Sequence, residues 1–306
     1  MNGPFAISVE GLTKTYGKEQ LVAVDQVSFE VNRGELFGLI GPDGAGKTSI
    51  FRMLTTLLLA EKGTASVEGY DVVKEYKQIR KIIGYMPGRF SLYQDLSIEE
   101  NLNFFAAVFG TSLEENHHLI EDIYVQIEPF KKRRAGQLSG GMKQKLALCC
   151  ALIHQPRVLF LDEPTTGVDP VSRKEFWEML ERLKAKGITI MVSTPYMDEA
   201  ALCDRIALIH HGQILSIHTP KDMVMHYPDQ LYAIKAGQMH ELINALRKYP
   251  EVLDCYAFGE YAHVSFKRTF EDEQLHAYLK SMGLNNVEVK PIQATIEDYF
   301  IKLLKN

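Results

Sequence analysis

The chain has 306 residues, 46% apolar and 24% charged, with a formal net charge of −5. These are globular proportions, sufficient for one large domain with a smaller one, and they exclude disordered or collagen-like character. The acidic balance argues against nucleic-acid binding through bulk basicity, and the one dense basic run, at 131–134, reads as a solvated loop.

In chain order, 6–12 and 21–32 are rich in Val, Ile and Phe and read as an antiparallel pair of strands around a turn at Gly17 and Lys18. A short apolar strand at 36–40 ends at Gly41, and an apolar-periodic helix runs from Lys47 to about 59. From Ser97, where Ser97 and Glu100 offer a capping box, the pattern is helical to about Pro129, with Leu102, Phe105, Val108 and Phe109 on one face. A further helix at 141–154 closes a helical insertion spanning about 97–155. The strand at 158–161, helix at 172–186, strand at 188–192, helix at 196–202 and strands at 205–209 and 213–217 then alternate as in a parallel sheet with helices on its faces. Beyond about Thr219 the character changes. Strands at 230–234, 252–258, 262–266 and 287–290, with helices at 239–248, 273–282 and 295–304, predict a small α+β domain at 221–306 beside a main domain at 5–220.

No basic-then-apolar leader is visible at 1–12, and apolar stretches such as 146–153 fall well short of the ~20 residues that a spanning helix needs. The expectation is a cytoplasmic chain, peripheral on the inner face of the membrane. Cys149, Cys150, Cys203 and Cys255 lack CxxC spacing and read as buried small residues in a reducing compartment.

The segment Gly41-Pro42-Asp43-Gly44-Ala45-Gly46-Lys47-Thr48, followed by Ser49, fits the phosphate-loop pattern G-x-x-x-x-G-K-[ST] between a strand and a helix. Glycines let backbone N–H groups turn inward, the helix start adds positive potential, and Lys47 brings a mobile charge to the outer phosphates of ATP. Thr48 would ligate Mg²⁺ through its hydroxyl. The apolar strand at 158–161 delivers Asp162 and Glu163 at its C-terminal end, where open α/β sheets bind ligands. Asp162 would complete the Mg²⁺ shell and Glu163 would orient or deprotonate the attacking water.

Leu138-Ser139-Gly140-Gly141-Met142, upstream of that strand, resembles the signature of ATP-binding-cassette (ABC) proteins. The resemblance covers roughly residues 7–215 and implies a P-loop NTPase cassette: parallel core sheet, antiparallel β flank, helical insertion and, here, a small accessory domain. It implies a head-to-tail dimer in which Ser139, Gly140 and Gly141 touch the γ-phosphate held by a second cassette and Asp169 couples the two sites. Tyr16 resembles the aromatic residue that stacks on adenine. The motifs look most like cassettes of multidrug, sodium or polysaccharide exporters, whose other partner is a membrane permease.

Two positions depart from the family pattern. Gly88 stands where the family has a Gln that touches Mg²⁺ and the attacking water, and Pro195 stands where it has a His that bonds the γ-phosphate. Neither residue has a side chain able to do so. Gln94, His210 and His211 are not placed by sequence to compensate and read as surface residues. The expectation is an ATP-binding subunit whose own site is slow or silent, paired with a different, competent cassette; the alternative is a non-hydrolytic ATP-dependent clamp or regulatory module.

Overall fold

A computed structural model describes residues 3–268 and 271–305. The chain divides into two compact units between Pro220 and Lys221.

In the first unit, β1 (Phe5–Tyr16) and β2 (Leu21–Asn32) pair antiparallel, with Val24, Val27, Phe29 and Val31 buried. β3 (Leu36–Ile40) is buried at every position and feeds α1 (Lys47–Leu54). The helix stops short of the expected 59. Thr56 adopts a left-handed backbone (φ 64), and Leu57 and Leu59, which prolong the apolar period, are exposed. Next come β4 (Lys62–Val67), β5 (Tyr70–Asp71), α2 (Tyr76–Ile82) and β6 (Ile83–Met86), a stretch without a clear period in sequence.

The helical insertion is two helices before the signature, α3 (Ile98–Val108) and α4 (Leu113–Tyr124), broken at Gly110 (φ 72). The Ser97–Glu100 capping box forms as expected, and a second one, Ser112–Glu115, starts α4. The backbone carbonyls of Lys131 and Arg133 accept the amides of Glu99 and Ile98, so the basic run helps to cap α3. Its side chains are otherwise solvated as expected: Lys132, Arg133 and Arg134 are exposed, and Arg133 lies over the Phe130 ring.

α5 (Gly140–Leu152), β7 (Val158–Asp162), α6 (Pro170–Ala185), β8 (Thr189–Thr194), the short α7 (Met197–Ala200), β9 (Arg205–His210) and β10 (Gln213–His218) follow, and α8 (Pro220–Met225) starts at the boundary and runs into the second unit. The core sheet has the order β10-β9-β3-β8-β7-β6, parallel except for the β10 edge, and β2-β1-β4-β5 form the antiparallel flank. Phe37 stacks on Phe29 and Phe51 meets Phe160 edge-on, which knits flank, α1 and core sheet into one apolar cluster. All four cysteines are buried and unpaired, and burial pushes their thiols up.

The second unit contains β11 (Leu231–Lys235), α9 (Met239–Lys248), β12 (Val252–Phe258), β13 (Tyr261–Phe266), α10 (Asp272–Ser281), β14 (Glu288–Ile292) and α11 (Ile296–Leu303). Its antiparallel sheet has the order β12-β13-β11-β14. Burial works against the charge of Asp298, but hydrogen bonds from His263, Thr295 and Tyr256 outweigh it and hold the carboxyl below its ordinary value. That cluster fixes the start of α11 to β12 and β13.

Candidate functional site

Loop 41–48 joins the C-terminal end of β3 to the start of α1; Gly41 and Gly46 have no room for a side chain, while Gly44 has space but a left-handed backbone (φ 78). A Cβ on Gly41 would sit 2.2 Å from the Ile209 carbonyl oxygen, and one on Gly46 (φ 105) would sit 2.3 Å from that of Ala23. The Gly41 amide donates to the Thr194 carbonyl (3.3 Å), and the Ala45 carbonyl accepts the Gly212 amide (3.0 Å). Strands β2, β8 and β9 therefore hold the loop from behind.

Lys47 is 3% exposed and folds over the loop. Its ammonium donates to the carbonyls of Gly41 (2.7 Å) and Pro42 (3.0 Å) and lies 3.1 Å from Glu163 Oε1. The glycine loop and Glu163, far apart in sequence, thus meet at one ammonium. The β7–β8 register sets Asp162 opposite Ser193. Ser193 Oγ donates to Asp162 Oδ1 (2.7 Å) and accepts the Glu163 amide (3.0 Å), so one hydroxyl orients both acidic residues. Glu163 adopts φ 50, an uncommon conformation for a residue with a side chain, which turns it away from the strand direction. Beside them on β6, the Tyr85 hydroxyl is pushed up to about 12 by burial and by the Asp162 charge, and stays neutral.

Tyr16, at the end of β1 and 40% exposed, places its hydroxyl 3.1 Å from Ser49 Oγ on the first turn of α1. The ring therefore stands at the mouth of the loop. Ser139 caps α5, accepting the Met142 amide, and a Cβ on Gly141 would lie 2.6 Å from Ser172 Oγ. Gly140 faces the Gly167 carbonyl, and Asp169 caps α6 by accepting the Ser172 amide, a bond that holds its exposed carboxyl below the usual range. The exposed Ser139, Gly140 and Asp169 and the buried Gly141 thus gather around the start of α6 and the loop that precedes it.

Gly88 lies directly against the acidic pair: a Cβ there would sit 3.1 Å from the Asp162 carbonyl oxygen and 3.8 Å from Glu163 Cβ. Pro195 follows Thr194 at the end of β8, next to the residue that receives the Gly41 amide. Gln94 and His211 are exposed, while His210 is half-buried with its ring 3.9 Å from that of His211. The face of Phe105, Val108 and Phe109 lines a groove of about 430 Å³ with Met86, Pro87 and Leu92, rather than the core. Sequence reasoning missed Ser193 and Thr194, for which a Ser-Thr pair closing an apolar strand was the available signal.

The sequence profile of the ABC transporter family matches residues 24–166. The chain is 36% identical over 305 residues to YbhF of Escherichia coli, a probable multidrug ABC transporter ATP-binding protein; the match covers 97% of this chain and 52% of YbhF, so the chain spans about half that relative's length. It is 37% identical over 303 residues to the Nod factor export ATP-binding protein I of Rhizobium sp. (strain N33), covering 97% and 96% of the two chains. It is 42% identical over 225 residues to the doxorubicin resistance ATP-binding protein DrrA of Mycobacterium tuberculosis, covering 72% of this chain and 68% of DrrA. Among solved structures, an ATP-binding subunit of an ABC transporter superposes with a TM-score of 0.65 at 29% identity, over 72% of this chain and 93% of its own. The dimeric cassette MJ0796 bound to ADP and phosphate gives 0.64 at 25% identity, over 70% and 98%. The fold is that of a P-loop NTPase cassette with a small α+β unit appended, and the chain belongs to the ATP-binding proteins of ABC transporters.

Proposed function

We propose that this chain binds MgATP in loop 41–48 and works as the slow half of a cassette pair that drives an export permease. The observation that carries the reading is the Lys47 ammonium, held 3.1 Å from Glu163 at the start of α1. An ammonium that rests on two loop carbonyls and one carboxylate can be drawn off by the stronger charge of a triphosphate, leaving the loop amides to bind phosphate oxygens. Among the described residues no cluster of three or more His, Cys, Asp or Glu side chains stands ready for a metal. That fits a Mg²⁺ held by Thr48 and Asp162 together with phosphate oxygens, where it would neutralise phosphate charge. Ser193 keeps Asp162 in place for this task. Tyr16 offers its ring to the adenine.

Hydrolysis also needs groups that hold the attacking water and the γ-phosphate, and here the chain is bare. Glu163 remains as a base, but Gly88 and Pro195 offer it no helper, and the loss of one stabilising donor in such a site costs ~10² to 10³ in rate. The cluster of Ser139, Gly140, Gly141 and Asp169 is nevertheless intact. It supports a division of labour in which this chain completes a competent site on a different cassette while its own ATP persists.

Among the described residues no helix is long and apolar enough to cross a membrane. Contact with a permease would therefore be peripheral, and the groove lined by Phe105, Val108 and Leu92 is the apolar surface we assign to it. The names of YbhF, DrrA and the Nod factor export protein favour export as the direction. The bare hydrolytic side also favours a second reading, an ATP-dependent clamp that never hydrolyses in either site. Phosphate release measured with the chain alone and with its cassette partner tests both. The proposal expects little release alone and brisk release from the pair; a pair as silent as the single chain selects the clamp, and brisk release by the chain alone, lost in Glu163→Gln, overturns both.

A further inference from the structure

Glu199 belongs to the four-residue helix α7, yet it is 2% exposed. A carboxylate so deeply buried is costly unless hydrogen bonds and counter-charge satisfy it. Here both oxygens are engaged. Oε2 accepts from Thr194 Oγ1 (2.5 Å), and Oε1 accepts from Thr165 Oγ1 (2.8 Å) and from Arg173 Nε (3.1 Å). The same guanidinium reaches Asp198 (3.4 Å) and lies over the Tyr196 ring, so the cation is fixed from two further sides.

The partners come from three separate segments. Thr194 ends β8, precedes Pro195, and gives its carbonyl to the Gly41 amide. Thr165 lies between Glu163 and Asp169. Arg173 sits in the first turn of α6, the helix that Asp169 caps. Glu199 is thus a buried junction between the back of loop 41–48, the turn at Pro195 and the loop that presents Asp169. The turn at Pro195, which has no side-chain donor of its own, is fixed by Thr194, whose hydroxyl donates to Glu199 and accepts the Tyr196 amide (3.1 Å).

We propose that Glu199 is a positioning residue that ties the segment 163–169 to the turn at Pro195, so that nucleotide in loop 41–48 sets the geometry of the Asp169 surface offered to a second cassette. The inference rests on the nucleotide site proposed above. It assigns to the silent site a purpose other than turnover: bound ATP is read out, through one buried carboxylate, as the shape of a docking surface.

The test uses the full chain with MgATP, calorimetry for affinity and hydrogen exchange for the backbone. In the wild type, MgATP is expected to slow exchange both at 41–48 and at 163–169. Glu199→Gln keeps the shape of the side chain but turns one acceptor into a donor; Thr165→Val removes one leg of the junction, and Thr165→Ser retains it. Glu199→Gln and Thr165→Val should keep affinity within about threefold and keep protection at 41–48, while nucleotide-dependent protection at 163–169 falls about tenfold. Thr165→Ser should restore it, a rescue that mere packing would not require. If Glu199→Gln fails to fold, the two Thr165 variants decide alone. Equal protection of 163–169 in all variants, or none in a wild type that binds ATP, overturns the inference. A wild type that shows no protection at 41–48 and no binding overturns the nucleotide site itself, and this inference with it.

Discussion

On one side of the proposed nucleotide site, Gly41 and Gly46 are glycines because a Cβ would strike backbone oxygens at 2.2 and 2.3 Å; on the other, Gly88 has 3.1 Å to the nearest atom and no positive φ. A side chain at Gly88 asks the Asp162 carbonyl to give by a few tenths of an ångström, a smaller demand than at Gly41 or Gly46. On the proposed reading, what Gly88 and Pro195 lack is a polar group for the nucleotide. On this reading, the contrast separates two tasks that a cassette usually combines: gripping a triphosphate, assigned to loop 41–48, and cleaving it, for which Glu163 is the one group proposed.

Substitutions can break or sharpen that contrast. Lys47→Ala should do most damage on the gripping side, weakening MgATP binding by about 3 kcal/mol, roughly a hundredfold by calorimetry. Gly46→Ala should cost stability of roughly 2 kcal/mol, read as an earlier denaturant midpoint, because φ 105 and the Ala23 carbonyl both oppose a side chain. Tyr16→Ala, which leaves the loop untouched, should cost about 1 kcal/mol, near fivefold in ATP affinity. Gly88→Ala should change affinity and phosphate release by no more than about twofold, since a methyl group supplies no donor and the Asp162 carbonyl has to give by only a few tenths of an ångström. A large effect there would show that this carbonyl cannot shift without disturbing the acidic pair.

Much of this contrast was legible in the residues themselves. The buried strands β3 and β7 appear as unbroken apolar runs, and the phosphate loop is spaced as its chemistry requires, so the grip was readable directly. The signature and the two departures needed a family pattern for comparison. Elsewhere local rules failed for physical reasons. Leu57 and Leu59 continue the period of α1 after Thr56 has ended the helix, and the stretch 62–86 holds strands of two to six residues, β4 pairing with β1, β5 with β4 and β6 with β7. The Ser112–Glu115 box obeys the same rule as Ser97–Glu100 and could have been found with it. Glu199 could not, because a charged residue in a four-residue helix reads as exposed until the neighbouring Thr194 and the remote Thr165 and Arg173 close over it. The order β12-β13-β11-β14 in the second unit was likewise hidden, since each strand was visible but its neighbours were not.

Whether the proposed site holds ATP without cleaving it is read from the identity of the nucleotide recovered from the purified chain after incubation with MgATP. Intact ATP is expected from the wild type, and predominantly ADP, formed about 10²-fold faster, from a Gly88→Gln, Pro195→His double variant. Recovery of ADP from the wild type at a rate matching the double variant would contradict the proposed reading.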